Sequence, residues 1–139
     1  MLKILAVLLV AGAFVYSWYR NDLRRLTRDY ACKEPFDGAL EHCIVRFPVD
    51  EAGTDCVLGA NGEGLYMSSS IDALQRNRRW WSSRYYVIGT PIFIPWKCLQ
   101  IADAKFPLRG FLRFSVPSNR AAFFVPREAG RLLLTRVGR

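Results

Sequence analysis

The chain has 139 residues, 51% of them hydrophobic and 14% aromatic, with a formal net charge of +8. That length holds one packed domain plus an appendage, and that composition excludes wholesale disorder. The charge favours an anionic partner (nucleic acid, acidic protein or anionic lipid) and by itself does not choose among them.

From Ile4 to Tyr19 the chain reads ILAVLLVAGAFVYSWY, carries no charge and is followed directly by Arg20. As a helix this run covers roughly 24 Å, short of the roughly 30 Å hydrocarbon core of a bilayer. Trp18, with Tyr16 and Tyr19, would sit at the interfacial level, and Arg20, Arg24 and Arg25 would reach out to headgroups. Thinning or snorkelling makes a single span workable. Ala11 to Ala13 offer a signal-peptide cleavage site, but the apolar run continues through Phe14 and Val15, which favours an uncleaved anchor. Residues 1–19 are therefore expected to be a transmembrane anchor. Arg20, Arg24, Arg25 and Arg28 outweigh Lys3 and the terminal amine, so the positive-inside rule places the C-terminal side in the cytoplasm.

There Cys32, Cys43, Cys56 and Cys98 would be thiols. None is spaced C-x-x-C and His42 is the only histidine, so no metal site is expected. Residues 20–38, RNDLRRLTRDYACKEPFDG, read as a basic juxtamembrane helix or linker. Leu23, Leu26 and Tyr30 fall at i, i+3 and i+7, which suits an amphipathic continuation of the span; a solvated spacer is an equal alternative.

Residues 39–139 are expected to form one β-domain. In CIVRFPV, Val45, Phe47 and Val49 alternate with Ile44, Arg46 and Pro48, the pattern of a half-buried strand. Asn61-Gly62 is a type I′ hairpin signal between apolar arms. Ser69 followed by Asp72 predicts a short helical turn in SIDALQ. YYVIGTPIFIPWKCLQIAD, residues 85–103, predicts buried strands bent at Pro91 and Pro95. RGFLRFSV sets Leu112, Phe114 and Val116 against Arg113 and Ser115, and Pro117-Ser118-Asn119 turns the chain into RAAFFV. PREAGRLLLTRVGR opens on Pro126, suited to a first helical turn, and aligns Ala129, Leu132, Leu133 and Val137 despite the cost of Gly130.

The order is anchor, linker, about six or seven short antiparallel strands, and a terminal helix able to plug an open barrel end. GLYMS at Gly64 to Ser68, IFIPW at Ile92 to Trp96, and the terminal VPREAGRLL carry a resemblance. Over roughly residues 40–137 the chain resembles small bacterial membrane-anchored proteins with a pleckstrin-homology-like or GRAM-like domain. The resemblance implies a mainly-β fold: an antiparallel small barrel with a C-terminal capping helix behind an N-terminal transmembrane helix. It implies a bacterial inner-membrane, single-pass setting, and an adaptor or membrane-associated module rather than a catalyst. Pleckstrin-homology domains that bind phosphoinositides often carry lysines and arginines in the first hairpin. GANGEG has Glu63 and neither, which argues against that ligand mode.

No catalytic constellation and no cofactor are expected. His42 and Cys43 are strand neighbours pointing to opposite faces. Asp50, Glu51 and Asp55 lack calcium-loop spacing, and GANGEG lacks the Lys-Ser/Thr of a phosphate loop. The candidate site is QRNRRWWSSRYY, residues 75–86, without an acid. Arg76, Arg78, Arg79 and Arg84 suit anionic headgroups, and Trp80 and Trp81 suit the interfacial level. Adjacent residues in extended chain face opposite ways, so one of the two tryptophans is a candidate for exposure. The expectation is a non-enzymatic binding module touching anionic lipid or a membrane protein partner, and not nucleic acid. The alternatives are a structural subunit of a larger membrane complex, or a secreted, disulfide-containing basic domain after signal cleavage.

Overall fold

Alternation of apolar and polar residues gives strands one face to bury, and the computed structural model shows where those faces meet. It describes residues 1–19, 22–48, 53–69 and 90–139, with the side chains of the first helix as far as Ala13. Two helices lead, α1 (Leu2–Tyr19) and α2 (Asp22–Tyr30). Seven strands follow among the described residues. They are β1 (Glu41–Val45), β2 (Thr54–Ala60), β3 (Gly64–Ser69), β4 (Ile92–Pro95), β5 (Gln100–Asp103), β6 (Phe111–Val116) and β7 (Ala121–Pro126). A 3-10 turn (Trp96–Cys98) joins β4 to β5, and α3 (Arg127–Arg136) follows β7.

The strands make two antiparallel sheets, ordered β1-β2-β3-β4 and β5-β6-β7. Cys43, Val45, Leu58, Met67, Ile92 and Ile94 from the first sheet share one core with Leu112, Phe114, Val116, Phe123 and Val125 from the second. Phe114 and Phe123 are register partners and stack with ring centroids 5.3 Å apart. Ile44 and Arg113 point out, as the period-two reading of β1 and β6 requires. The proposed helical turn at SIDALQ lies outside the described residues.

The expected barrel does not close. Among the described residues the sheets meet edge to edge at one bridge, where Arg46 and Phe124 exchange two backbone hydrogen bonds of 2.9 and 2.7 Å. In a strand, N–H and C=O of one residue point to the same edge and alternate along the chain. Arg46, one step past Val45, therefore turns its pair away from β2 and toward β7. At the other end β4 passes to β5 through the 3-10 turn, and among the described residues no ladder joins the two strands, so closure is lost there.

The transmembrane expectation is overturned as well. Among the described residues, no helix is long and apolar enough to cross a membrane. The 18 residues of α1 reach roughly 27 Å, less than a hydrocarbon core of about 30 Å. The single-pass inner-membrane placement, and the cytoplasmic side derived from it, fall with the span.

Residues 22–30 are not a solvated spacer. Leu23 and Leu26 enter the core, and α2 lies against β4 and β7. Its first residue, Asp22, is buried. One carboxylate oxygen accepts the Ala122 N–H at 2.8 Å and the other meets Arg25 at 3.0 Å. A carboxylate at a helix N-terminus is also favoured by the helix dipole.

The hairpin of β2 and β3 forms where Asn61-Gly62 places it, with a different turn. The Asn61 side-chain oxygen accepts the N–H groups of Glu63 (2.8 Å) and Gly64 (3.0 Å), so Asn61 opens the turn and does not occupy its centre. In α3, Leu133 is buried and Ala129 and Leu134 pack against the core, as does Val137 just past the helix, while Leu132 is 44% exposed. Pro126 ends β7 and precedes the helix. Gly138, at φ +74°, ends it in a Schellman arrangement: Arg139 N–H donates to Leu134 and Gly138 N–H to Thr135.

Because Leu26 is fully buried, Leu26→Ala should cost roughly 2–5 kcal/mol. Urea unfolding should show a lowered midpoint with an unchanged slope.

Candidate binding surface

The basic-aromatic stretch that sequence singles out, Arg76, Arg78, Arg79, Trp80, Trp81 and Arg84, lies outside the described residues, as does Arg20. Trp18 belongs to α1, its side chain not among those described. Arg24 and Arg25 sit on α2, half-buried. The Arg25 guanidinium is committed within the domain, to the Asp22 carboxylate and to the Arg120 carbonyl at 3.4 Å. Arg24 also has interactions of its own.

Neighbouring polar groups fasten the same corner. Asn119 accepts the Ala121 N–H at 2.9 Å through its side-chain oxygen and donates to Asp29 at 2.9 Å. That bond, together with the Arg28 guanidinium, holds the Asp29 carboxyl below its ordinary pKa, with Arg28 the larger cause.

In the 3-10 turn after β4, the Trp96 indole is held at its N–H edge and over its face. Its Nε1–H donates to the Asn61 carbonyl at 2.7 Å, and the Arg139 guanidinium lies 5.0 Å from the ring centroid. The ring of Phe36 stacks on Tyr66 at 5.2 Å and covers Gly59, where any side chain would collide with it. These aromatics are anchors of the fold, not free contact surface.

The second sheet is different on its outer side. Arg113 pairs in register with Ala102 and Phe124, so its exposed side chain shares a face with theirs. The Arg46 guanidinium lies over the Phe111 ring at 5.4 Å, an attractive cation–π geometry. Lys105, Phe106 and Arg109 of the β5–β6 connection are exposed beside it. Sequence reasoning passed over this group. Its signal was KFPLRG, an apolar tripeptide between two cations at a Pro/Gly turn.

Chemistry elsewhere is sparse. His42 is exposed on the outer face of β1 and Cys43 is buried on the inner face, opposite Cys56 in register. Among the described residues no three His, Cys, Asp or Glu side chains group to hold a metal. Burial pushes the Cys43 thiol up to about 11, with Glu41 adding to the effect. Such a thiol stays protonated at neutral pH and is a poor nucleophile.

No protein-family model, curated protein or solved structure matches this chain.

The raised Cys43 pKa carries a pH dependence. Above the ordinary value of 9.0 the unfolded chain releases this proton while the folded protein keeps it, so folding loses stability as pH rises from about 9 to about 11. The expected fall is up to about 1.4 kcal/mol per pH unit. Cys43→Val should remove that slope in urea titrations above pH 9, and an unchanged slope would assign it to other groups.

Proposed function

We propose that this protein is a non-catalytic binding module that docks peripherally on an anionic lipid surface, without crossing it. The observation that carries the reading is α1. Its described residues are almost all apolar, and they are exposed on every side, from Leu2 (84%) to Val10 (70%). A surface of that kind marks an interaction site, since water covers it at a cost. A lipid interface offers apolar cover and anionic headgroups together, and the chain's net charge of +8 suits the headgroups.

Nucleic acid would engage the arginines but leave the α1 surface in water. The likeness of GLYMS, IFIPW and VPREAGRLL to small pleckstrin-homology-like or GRAM-like proteins supports a binding module over a catalyst. The Arg/Trp stretch of residues 75–86 supplies the residue types an anionic interface attracts. A second reading, a structural subunit with α1 seated on an apolar protein partner, draws on the same helix.

The full chain should sediment with phosphatidylglycerol-containing vesicles and only weakly with phosphatidylcholine alone. Arg78→Glu/Arg79→Glu should weaken anionic binding on the order of tenfold or more, at about 1 kcal/mol per arginine. Equal binding to both vesicle types, or to neither, removes the lipid reading. Migration with a larger protein assembly would then favour the subunit reading.

A further inference from the structure

We propose that the β5–β6 loop, Ala104 to Gly110, is a preformed lipid-docking tip. Phe106 would enter the interfacial layer while Lys105 and Arg109 meet headgroup phosphates. This rests on the lipid-surface reading above and adds to it a site in the β5-β6-β7 sheet, apart in sequence from residues 75–86.

Phe106 is 82% exposed, and Lys105, Pro107 and Arg109 around it are exposed too. The loop is nonetheless firmly built. Leu108 N–H donates to the Lys105 carbonyl (2.9 Å) and Phe111 N–H to the Leu108 carbonyl (3.2 Å). Ala104 N–H donates to the Phe111 carbonyl (3.1 Å), and Arg127 N–H to the Gly110 carbonyl (2.9 Å). Gly110 takes φ +93°, a conformation that side chains resist. Buried Ala104 and half-buried Leu108 root the turn, so the ring of Phe106 is held outward by the fold. Presenting an apolar tip this way lowers the ordering cost of binding.

Charge selects the occupant. Lys105 and Arg109 flank the tip, and Arg113 and Arg46 continue the positive surface over the sheet. Among the described residues the nearby acids are Asp103, whose carboxylate meets Arg127 at 3.4 Å, and Glu128 in the first turn of α3. An exposed aromatic between two cations matches a layer whose phosphates lie just above an apolar zone. An acidic peptide would answer the cations and leave Phe106 without cover.

The test uses the full chain with vesicles of phosphatidylcholine and phosphatidylglycerol at three to one, and with phosphatidylcholine alone. Phe106→Ser should weaken binding to the mixed vesicles several-fold. Lys105→Glu/Arg109→Glu should weaken it tenfold or more and abolish the preference for anionic vesicles. The side chains point to solvent, so both variants should keep the parent urea-unfolding midpoint; a midpoint that drops would itself contradict the loop as described. If the parent binds and both variants bind equally well, the tip is overturned while the lipid reading stands. If the parent binds no vesicle, the lipid reading fails first. Concentration-dependent self-association that Phe106→Ser removes would assign the tip to a second copy and overturn the proposal.

Discussion

Two backbone hydrogen bonds between Arg46 and Phe124 hold this architecture together, because among the described residues they alone join the two sheets as strand neighbours. They bring Phe47 within 6.4 Å of Phe123 and let both sheets drain into one core. The same residue then serves the outside. With its backbone turned to β7, the Arg46 side chain emerges over Phe111, and its Nε is buried with no hydrogen-bond partner among the described residues. An arginine tolerates that setting better than a lysine, since its guanidinium is weakly hydrated and stacks on rings. The junction of the sheets and the start of the basic-aromatic face are thus one residue.

The second constraint is α2. Two leucines give it an apolar stripe, and a ring of polar contacts fixes its direction. Asp22 is on the Ala122 N–H, Arg25 on the Arg120 carbonyl, and Asn119 on Asp29. The β6–β7 turn that receives these contacts includes Arg120 at φ +59°, a backbone conformation unusual outside glycine and asparagine. The contacts with α2 help hold it there. Helix and turn are therefore interdependent, and a chain begun after residue 30 would open the core at Leu23 and Leu26.

How much of this was legible follows from the range of the interaction involved. β1 and β6 could be read because one face is wet and the other dry, so alternation reports the strand directly. The hairpin at Asn61-Gly62 was legible as a hairpin but not in its turn type, which depends on a side-chain oxygen choosing two particular N–H groups. The role of α2 was ambiguous locally, since its decisive partner, Ala122, lies 100 residues away. Barrel closure failed for a similar reason: each strand is a local pattern, whereas the handover from β4 to β5 is a matter of where a 3-10 turn at Trp96 points the chain. Residues 75–86 stand out by composition alone. KFPLRG does not, because the exposure of Phe106 exists only once the β5–β6 hairpin has been built.

Charge bookkeeping ties the fold to its surface. Several carboxylates are consumed inside the molecule: Asp22 by Arg25, Asp29 by Arg28, Asp103 by Arg127 and Glu41 by Arg136. Each such pair removes one cation and one anion from what a partner meets, so the excess of +8 is concentrated on faces where acids are scarce. Among the described residues Lys105, Arg109 and Arg113 form such a face and make no ion pair. A partner held by charge alone would be shed as salt shortens the Debye length below about 8 Å. A partner that also takes up Phe106 and the bare surface of α1 would be retained, because apolar transfer is not screened by salt. On the lipid-docking proposal, the pairing of exposed cations with exposed apolar groups would suit a surface that is charged at its rim and greasy beneath.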